Sequence, residues 1–193
     1  MQSEPIKTVI HKGKTIKIYQ DETPETPRSW DNLAQMVFFG NKKCLGDKHE
    51  IKLGSYQGRE DFIVEGARAL AKQIKDIAVC LPVHMYSHSG ETISTSGGYP
   101  FNCPWDSGTI GFVIVTKQAI RENWSIKKVT KKLIEQSKLQ AEGEVETLND
   151  YLTGNIYGYK IVDENGNDLD SCWGFYGDIE TSCIIEEAKA TIK

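Results

Sequence analysis

Apolar and polar residues alternate through 6–19, with Lys12-Gly13 at the centre, and this period of two predicts a β-hairpin with one solvated face. Pro24 and Pro27 make 21–29 an extended connector. The short apolar run from Trp30 to Phe39 fits either a brief helix capped by Asp31 or a strand over 36–39. Residues 40–58 read as a glycine-containing loop. Phe62, Ile63, Ala67, Leu70, Ala71 and Ile74 recur at helical spacing, which predicts an amphipathic helix over 59–75. The nearly continuous apolar run 77–86 has the pattern of a buried central strand. A polar stretch rich in Ser, Gly and Pro fills 87–108, and a second central strand follows over 109–116. Further on come a short helix over 117–123 and a long one over 127–151, then a hairpin of 155–163 with 169–176 across Glu164-Asn165-Gly166-Asn167. A helix over 179–191 closes the chain.

This order lacks the regular strand–helix alternation of a doubly wound fold. It predicts one α+β domain over 1–193, a mixed, mostly antiparallel sheet of about six strands with helices packed on one face. No internal repeat or low-complexity linker divides it.

Composition leaves that picture unchanged and narrows the function classes. At 193 residues, with 39% hydrophobic and 26% charged residues, the chain is of ordinary globular make-up. A net charge of −4 supplies no basic footprint for nucleic acid and falls short of an acidic DNA mimic. The first residues lack the basic and apolar regions of a signal peptide, and no run approaches the length of a membrane span, so a cytoplasmic location without membrane contact is expected. The five cysteines are odd in number and widely spaced, which reads as free thiols, and no Cys-x-x-Cys zinc signature occurs.

Candidate chemistry concentrates in four connections. His84 and His88 leave the end of a predicted strand, where side chains four apart stand about 13 Å from one another. A metal there would need a bend and further ligands such as Cys103 or Asp106; loop hydrogen bonding is the simpler expectation. Trp105, Asp106 and Ser107, in Cys103-Pro104-Trp105-Asp106-Ser107-Gly108, form a turn that offers an aromatic surface and a carboxylate, or simply a lid on the core. Ser107 lacks the Gly-x-Ser-x-Gly elbow of a hydrolase nucleophile. Around Asp170-Ser171-Cys172-Trp173-Gly174-Phe175-Tyr176, strand alternation puts Trp173 and Phe175 on one face, for packing or for ligand approach at Gly174. Asp47, in Leu45-Gly46-Asp47-Lys48-His49 after Lys42-Lys43, lies in a glycine–lysine loop suited either to a phosphate or to plain solvent, without a Walker pattern. Lys127, Lys128 and Lys131, with Lys132, make a concentrated positive patch where an anionic partner would dock. No catalytic set, metal site or cofactor is expected from these residues.

Taken in order, Trp30-Asp31-Asn32-Leu33, Leu45-Gly46-Asp47, Tyr86-Ser87-His88-Ser89-Gly90, Cys103-Pro104-Trp105-Asp106-Ser107-Gly108, Tyr151-Leu152-Thr153-Gly154 and Asp170-Ser171-Cys172-Trp173-Gly174-Phe175-Tyr176-Gly177 resemble a widespread family of bacteriophage and mobile-element proteins over roughly residues 27–178. The resemblance implies an origin and no reaction. Members tend to carry Asp before the histidine of His-Ser-Gly, where this chain has Ser87. They also tend to carry histidine, arginines and an aromatic before Leu-Gly-Asp, where this chain has Asn41-Lys42-Lys43-Cys44. Basic charge is kept, without the bidentate recognition arginine provides.

Two functions follow as expectations. The first is a phage accessory protein acting by binding in the host cytoplasm, an inhibitor of a host defence system of the CRISPR, restriction or nucleotide-signalling type. Its partner would be a defence protein or that protein's nucleic-acid or nucleotide ligand. The alternative is a small metal- or acid/base-dependent hydrolase acting on a nucleotide or nucleic acid, drawing on His84, His88, Asp106, Asp47 and Asp170.

Overall fold

Lys12 and Gly13 both adopt positive φ, 47° and 73°, as a two-residue hairpin turn of type I′ demands. They join β1 (Lys7–His11) to β2 (Lys14–Gln20). The chain continues through a 3-10 turn (Pro27–Ser29), β3 (Gln35–Phe38), a second 3-10 turn (Gly40–Leu45), α1 (Arg59–Gln73), β4 (Ile77–Ser87), β5 (Glu91–Ser94) and β6 (Ser107–Thr116). It ends with α2 (Lys117–Asn123), α3 (Lys131–Thr153), β7 (Ile156–Val162), β8 (Asp168–Tyr176) and α4 (Ile184–Thr191). This computed structural model describes residues 4–95, 103 and 105–192. The rest of the 87–108 connection, 96–102 and Pro104, lies outside the described residues.

The α+β class holds. The single sheet of about six strands does not: the described strands form two four-stranded antiparallel sheets, ordered β1-β2-β7-β8 and β3-β6-β4-β5. The contacts within the chain divide it into two compact units. One comprises the residues up to Thr26 and those from Asp150 on, the other Pro27–Asn149. β5 leaves no signal in the sequence, because its four residues sit inside a polar stretch with too few alternations to register a period.

In the unit built from both ends of the chain, Ile16 and Ile18 of β2, Tyr159 and Ile161 of β7, and Ile184, Ala188 and Ile192 at the C-terminal end form the buried cluster. Asp163 closes the β7–β8 turn by accepting from the Asn165 and Asn167 amides at 2.9 and 2.8 Å and from Asn167 Nδ2 at 2.9 Å. Those bonds, led by the Asn167 side chain, hold its carboxyl below the usual range. The edge strand β8 carries irregularities between Tyr157/Tyr159 and Ile161/Val162 of its partner. Bulges of this kind blunt an edge against further pairing.

In the other unit, Val37, Leu70, Phe112 and Ile114 are buried together, with Phe62 of α1 stacked on Phe112 at 5.6 Å. Gly111 lets β3 and β6 approach: a Cβ there would overlap the Val37 carbonyl oxygen and sit 2.8 Å from Phe38 Cα. Of the two readings of 30–39, the strand is the one found. Asn32 Nδ2 instead donates to the carbonyls of Pro27 and Trp30, both at 2.9 Å, and folds the preceding segment into a turn.

Candidate functional site

β4 and β6 run antiparallel, with Tyr86 opposite Ser107, so the end of β4 and the start of β6 emerge side by side. Ser87 N donates to the Asp106 carbonyl at 2.7 Å, which ties the turn at Trp105-Asp106 to the end of β4. Just beyond, His88 Nδ1 lies 3.3 Å from Asp106 Oδ2, and its ring stacks on Tyr86 at 6.3 Å. Asp106 Oδ2 also accepts from Cys103 Sγ at 3.4 Å, and Ser107 Oγ donates to the Cys103 carbonyl. Trp105 projects from this braced turn with 92% of its surface exposed. His88, Trp105, Asp106 and Ser107 are therefore brought together. The carboxylate that accompanies the histidine comes from the turn leading into the neighbouring strand β6, in place of the residue before it.

His84 belongs to a different environment. It is buried within β4, with Nδ1 3.0 Å from Thr109 Oγ1. Burial, reinforced by the Arg59 charge, holds its imidazole below the ordinary histidine value. His84 is thus a core residue and His88 a surface one, and they do not share a site. Among the described residues no three His, Cys, Asp or Glu side chains are grouped to hold a metal ion.

Asp47 is engaged by protein groups on both carboxylate oxygens. Its carboxylate takes Arg28 Nε at 3.0 Å on Oδ1, and Arg28 Nη2 at 2.7 Å together with Met36 N at 2.8 Å on Oδ2. Its own amide donates to the Met36 carbonyl at 2.8 Å. On the far side of the guanidinium, Glu144 of α3 accepts from Arg28 Nη1 at 3.5 Å and from the amides of Leu33 at 2.9 Å and Ala34 at 3.1 Å. Desolvation outweighs these bonds and pushes the Glu144 carboxyl up. Arg28 and Glu144 were missed in the sequence. The available signal was Glu144 itself, an acid lying between Ala141 and Val145 in the buried stripe of α3.

Trp173 lies apart, on β8. The bulge at Trp173-Gly174, with Gly174 at φ 83°, breaks the expected alternation. Phe175 pairs with Tyr157 and packs on the core beside Tyr159 at 5.7 Å. Trp173 covers Gly158 on the opposite face, 6.4 Å from Tyr19, and is 44% exposed. Expecting Trp173 and Phe175 on one face was thus incorrect, because one extra residue inverts the alternation. Lys127, Lys128 and Lys131 are exposed at the start of α3, whose first turn holds no acidic residue. Thr130 caps that helix, its Oγ1 accepting from Leu133 N at 3.4 Å.

No helix among the described residues is long and apolar enough to cross a membrane. No family model, curated protein or solved structure matches the chain.

Proposed function

We propose that this protein acts by binding, and that the braced turn carrying Trp105 and Asp106 is its contact surface. The observation behind this reading is the pairing of a 92% exposed tryptophan with a turn tied down by the Ser87–Asp106 backbone bond and the His88–Asp106 contact. A large aromatic held on a rigid support adds contact area while losing little entropy on association, the property of an interface anchor. Together with the resemblance to phage and mobile-element proteins, this supports an accessory role in the host cytoplasm: inhibition of a defence system by binding one of its proteins or that protein's nucleic-acid or nucleotide ligand. Trp105→Ala tests it. The variant keeps the wild-type melting curve and loses defence-blocking activity in infected cells. A well-folded variant with full activity removes this surface from the proposal.

A second reading rests on the His88–Asp106 pair. A carboxylate on Nδ1 orients an imidazole with Nε2 turned outward, which is how a general base is held. On this reading the protein is a small hydrolase of nucleotides or nucleic acid, and His88→Ala abolishes turnover. The Ser107 hydroxyl donates to the Cys103 carbonyl, so on this reading the nucleophile is a water activated by His88.

A further inference from the structure

The loop after β3 holds a second site, remote in sequence from the turn at Trp105. Residues 46–49 are tied to the exposed edge of β3: Asp47 N bonds the Met36 carbonyl at 2.8 Å, and His49 Nε2 bonds the Phe38 carbonyl at 2.8 Å. A Cβ on Gly46 would approach the Met36 carbonyl oxygen to 2.6 Å, so glycine permits this close course. The anchored loop borders an open surface pocket of about 510 Å³ lined by Lys43, Cys44, Gly46, Lys48, His49 and Glu50. That volume falls in the range of small-molecule pockets.

Two features of its lining residues are unsatisfied. Lys42 is paired with Glu91, whereas Lys43 and Lys48 form no ion pair among the described residues. His49 is only 7% exposed, and its Nδ1 is buried with no hydrogen-bond partner. Because Nε2 donates to Phe38, the tautomer this bond dictates leaves Nδ1 as an acceptor. An unmade bond at a buried polar atom is costly, and native structures rarely leave one without a use. The ring is fixed from its other side by Phe39, edge-on at 5.2 Å.

We infer that this pocket binds a small phosphate-bearing molecule of nucleotide size. Lys43 and Lys48 hold the phosphate. The Cys44 side chain and the lysine stems cover the apolar face of the ligand; His49 Nδ1 is shielded from solvent in the free protein, so its bond to a ligand N–H requires the exposed side chains over it to move aside on binding. Glu50 supplies a rim acceptor for a hydroxyl or a second N–H. The residue types match this ligand chemistry: two point charges for the anion, one acceptor for the donor edge of a base.

Calorimetric titration with guanosine 5′-monophosphate, and separately with inorganic phosphate, tests the assignment. The nucleotide is expected to bind saturably and at least about tenfold more tightly than phosphate, the worth of one good hydrogen bond. Lys43→Ala and Lys48→Ala, both surface changes, each weaken nucleotide binding about tenfold. His49→Gln narrows the preference for nucleotide over phosphate, and the Nδ1 nitrogen resonance of His49 moves on adding nucleotide but not phosphate. Trp105→Ala binds the nucleotide as wild type does, which separates this site from the proposed contact surface. Equal affinity for phosphate and nucleotide, no saturable binding, or full affinity in both lysine variants overturns the assignment.

Discussion

Asp47 grips the guanidinium of Arg28 through both carboxylate oxygens, Nε to Oδ1 at 3.0 Å and Nη2 to Oδ2 at 2.7 Å. Glu144 meets the same guanidinium at 3.5 Å. One cation thus ties the segment before β3, the loop after it and α3. The Arg28 side chain is 9% exposed, and its partners are 23% and 12% exposed, so solvent screens the group little.

Removing the cation leaves two carboxylates facing each other in a poorly solvated place. Arg28→Met is expected to destabilise by about 3 kcal/mol at neutral pH, measured by urea unfolding. The deficit shrinks at acid pH, where Glu144, already pushed up by burial, takes its proton. An equal deficit at both pH values contradicts this account of the network.

His84 gives the opposite pH dependence. Its folded-state value lies below the ordinary 6.5, so on acidification the unfolded chain binds a proton before the native protein does. Stability therefore falls as pH drops below about 6.5. His84→Gln is expected to flatten the curve of unfolding free energy against pH in that window. A wild-type slope retained in the variant assigns the effect to another group.

The thiols separate by burial. Desolvation pushes Cys80 up to about 11, which keeps it protonated and unreactive, while Cys44, Cys172 and Cys183 are exposed. Labelling with a thiol reagent followed by peptide mapping is expected to modify those three first and the half-buried Cys80 far more slowly. Modification of Cys80 in the native protein as fast as that of the exposed three refutes this ranking.

Gly111 and Gly158 make a contrasting pair. A methyl at Gly111 meets backbone of β3, which cannot give way, so Gly111→Ala is expected to cost at least about 3 kcal/mol or prevent folding. A methyl at Gly158 meets first the half-exposed Trp173 ring and then, at 2.9 Å, the Cys172 carbonyl oxygen, both on the edge strand β8. Gly158→Ala is expected to cost less and to change the tryptophan emission spectrum. An order of stabilities reversed between the two variants shows that β3 and β6 are not in the close register described.

Much of the local structure was legible along the chain. The Lys12-Gly13 turn, the helical stripe of α1, the apolar runs of β4 and β6 and the Asn-Gly turn between β7 and β8 each follow from neighbours a few residues apart. Hydrophobic period and turn chemistry are local, so they survive being read without a fold. The Trp105-Asp106 turn was legible for the same reason.

Which partners those elements take was not legible. The hairpin of β1 and β2 pairs with β7, leaving β3 through β6 to form their own sheet, and nothing in a strand's alternation says which other strand it meets. Asp47 reads in sequence as a loop acid beside lysines. It became a structural anchor because Arg28 and Glu144, 116 residues apart, converge on one place. The carboxylate on His88 comes from across the strand pair, and the single extra residue at Gly174 turns Trp173 away from Phe175. The sequence by itself determined the elements and their apolar faces, because these depend on side-chain period. Only the tertiary structure decided the charge partners, the strand neighbours and the face of each aromatic, because these depend on contacts whose members are distant in the chain.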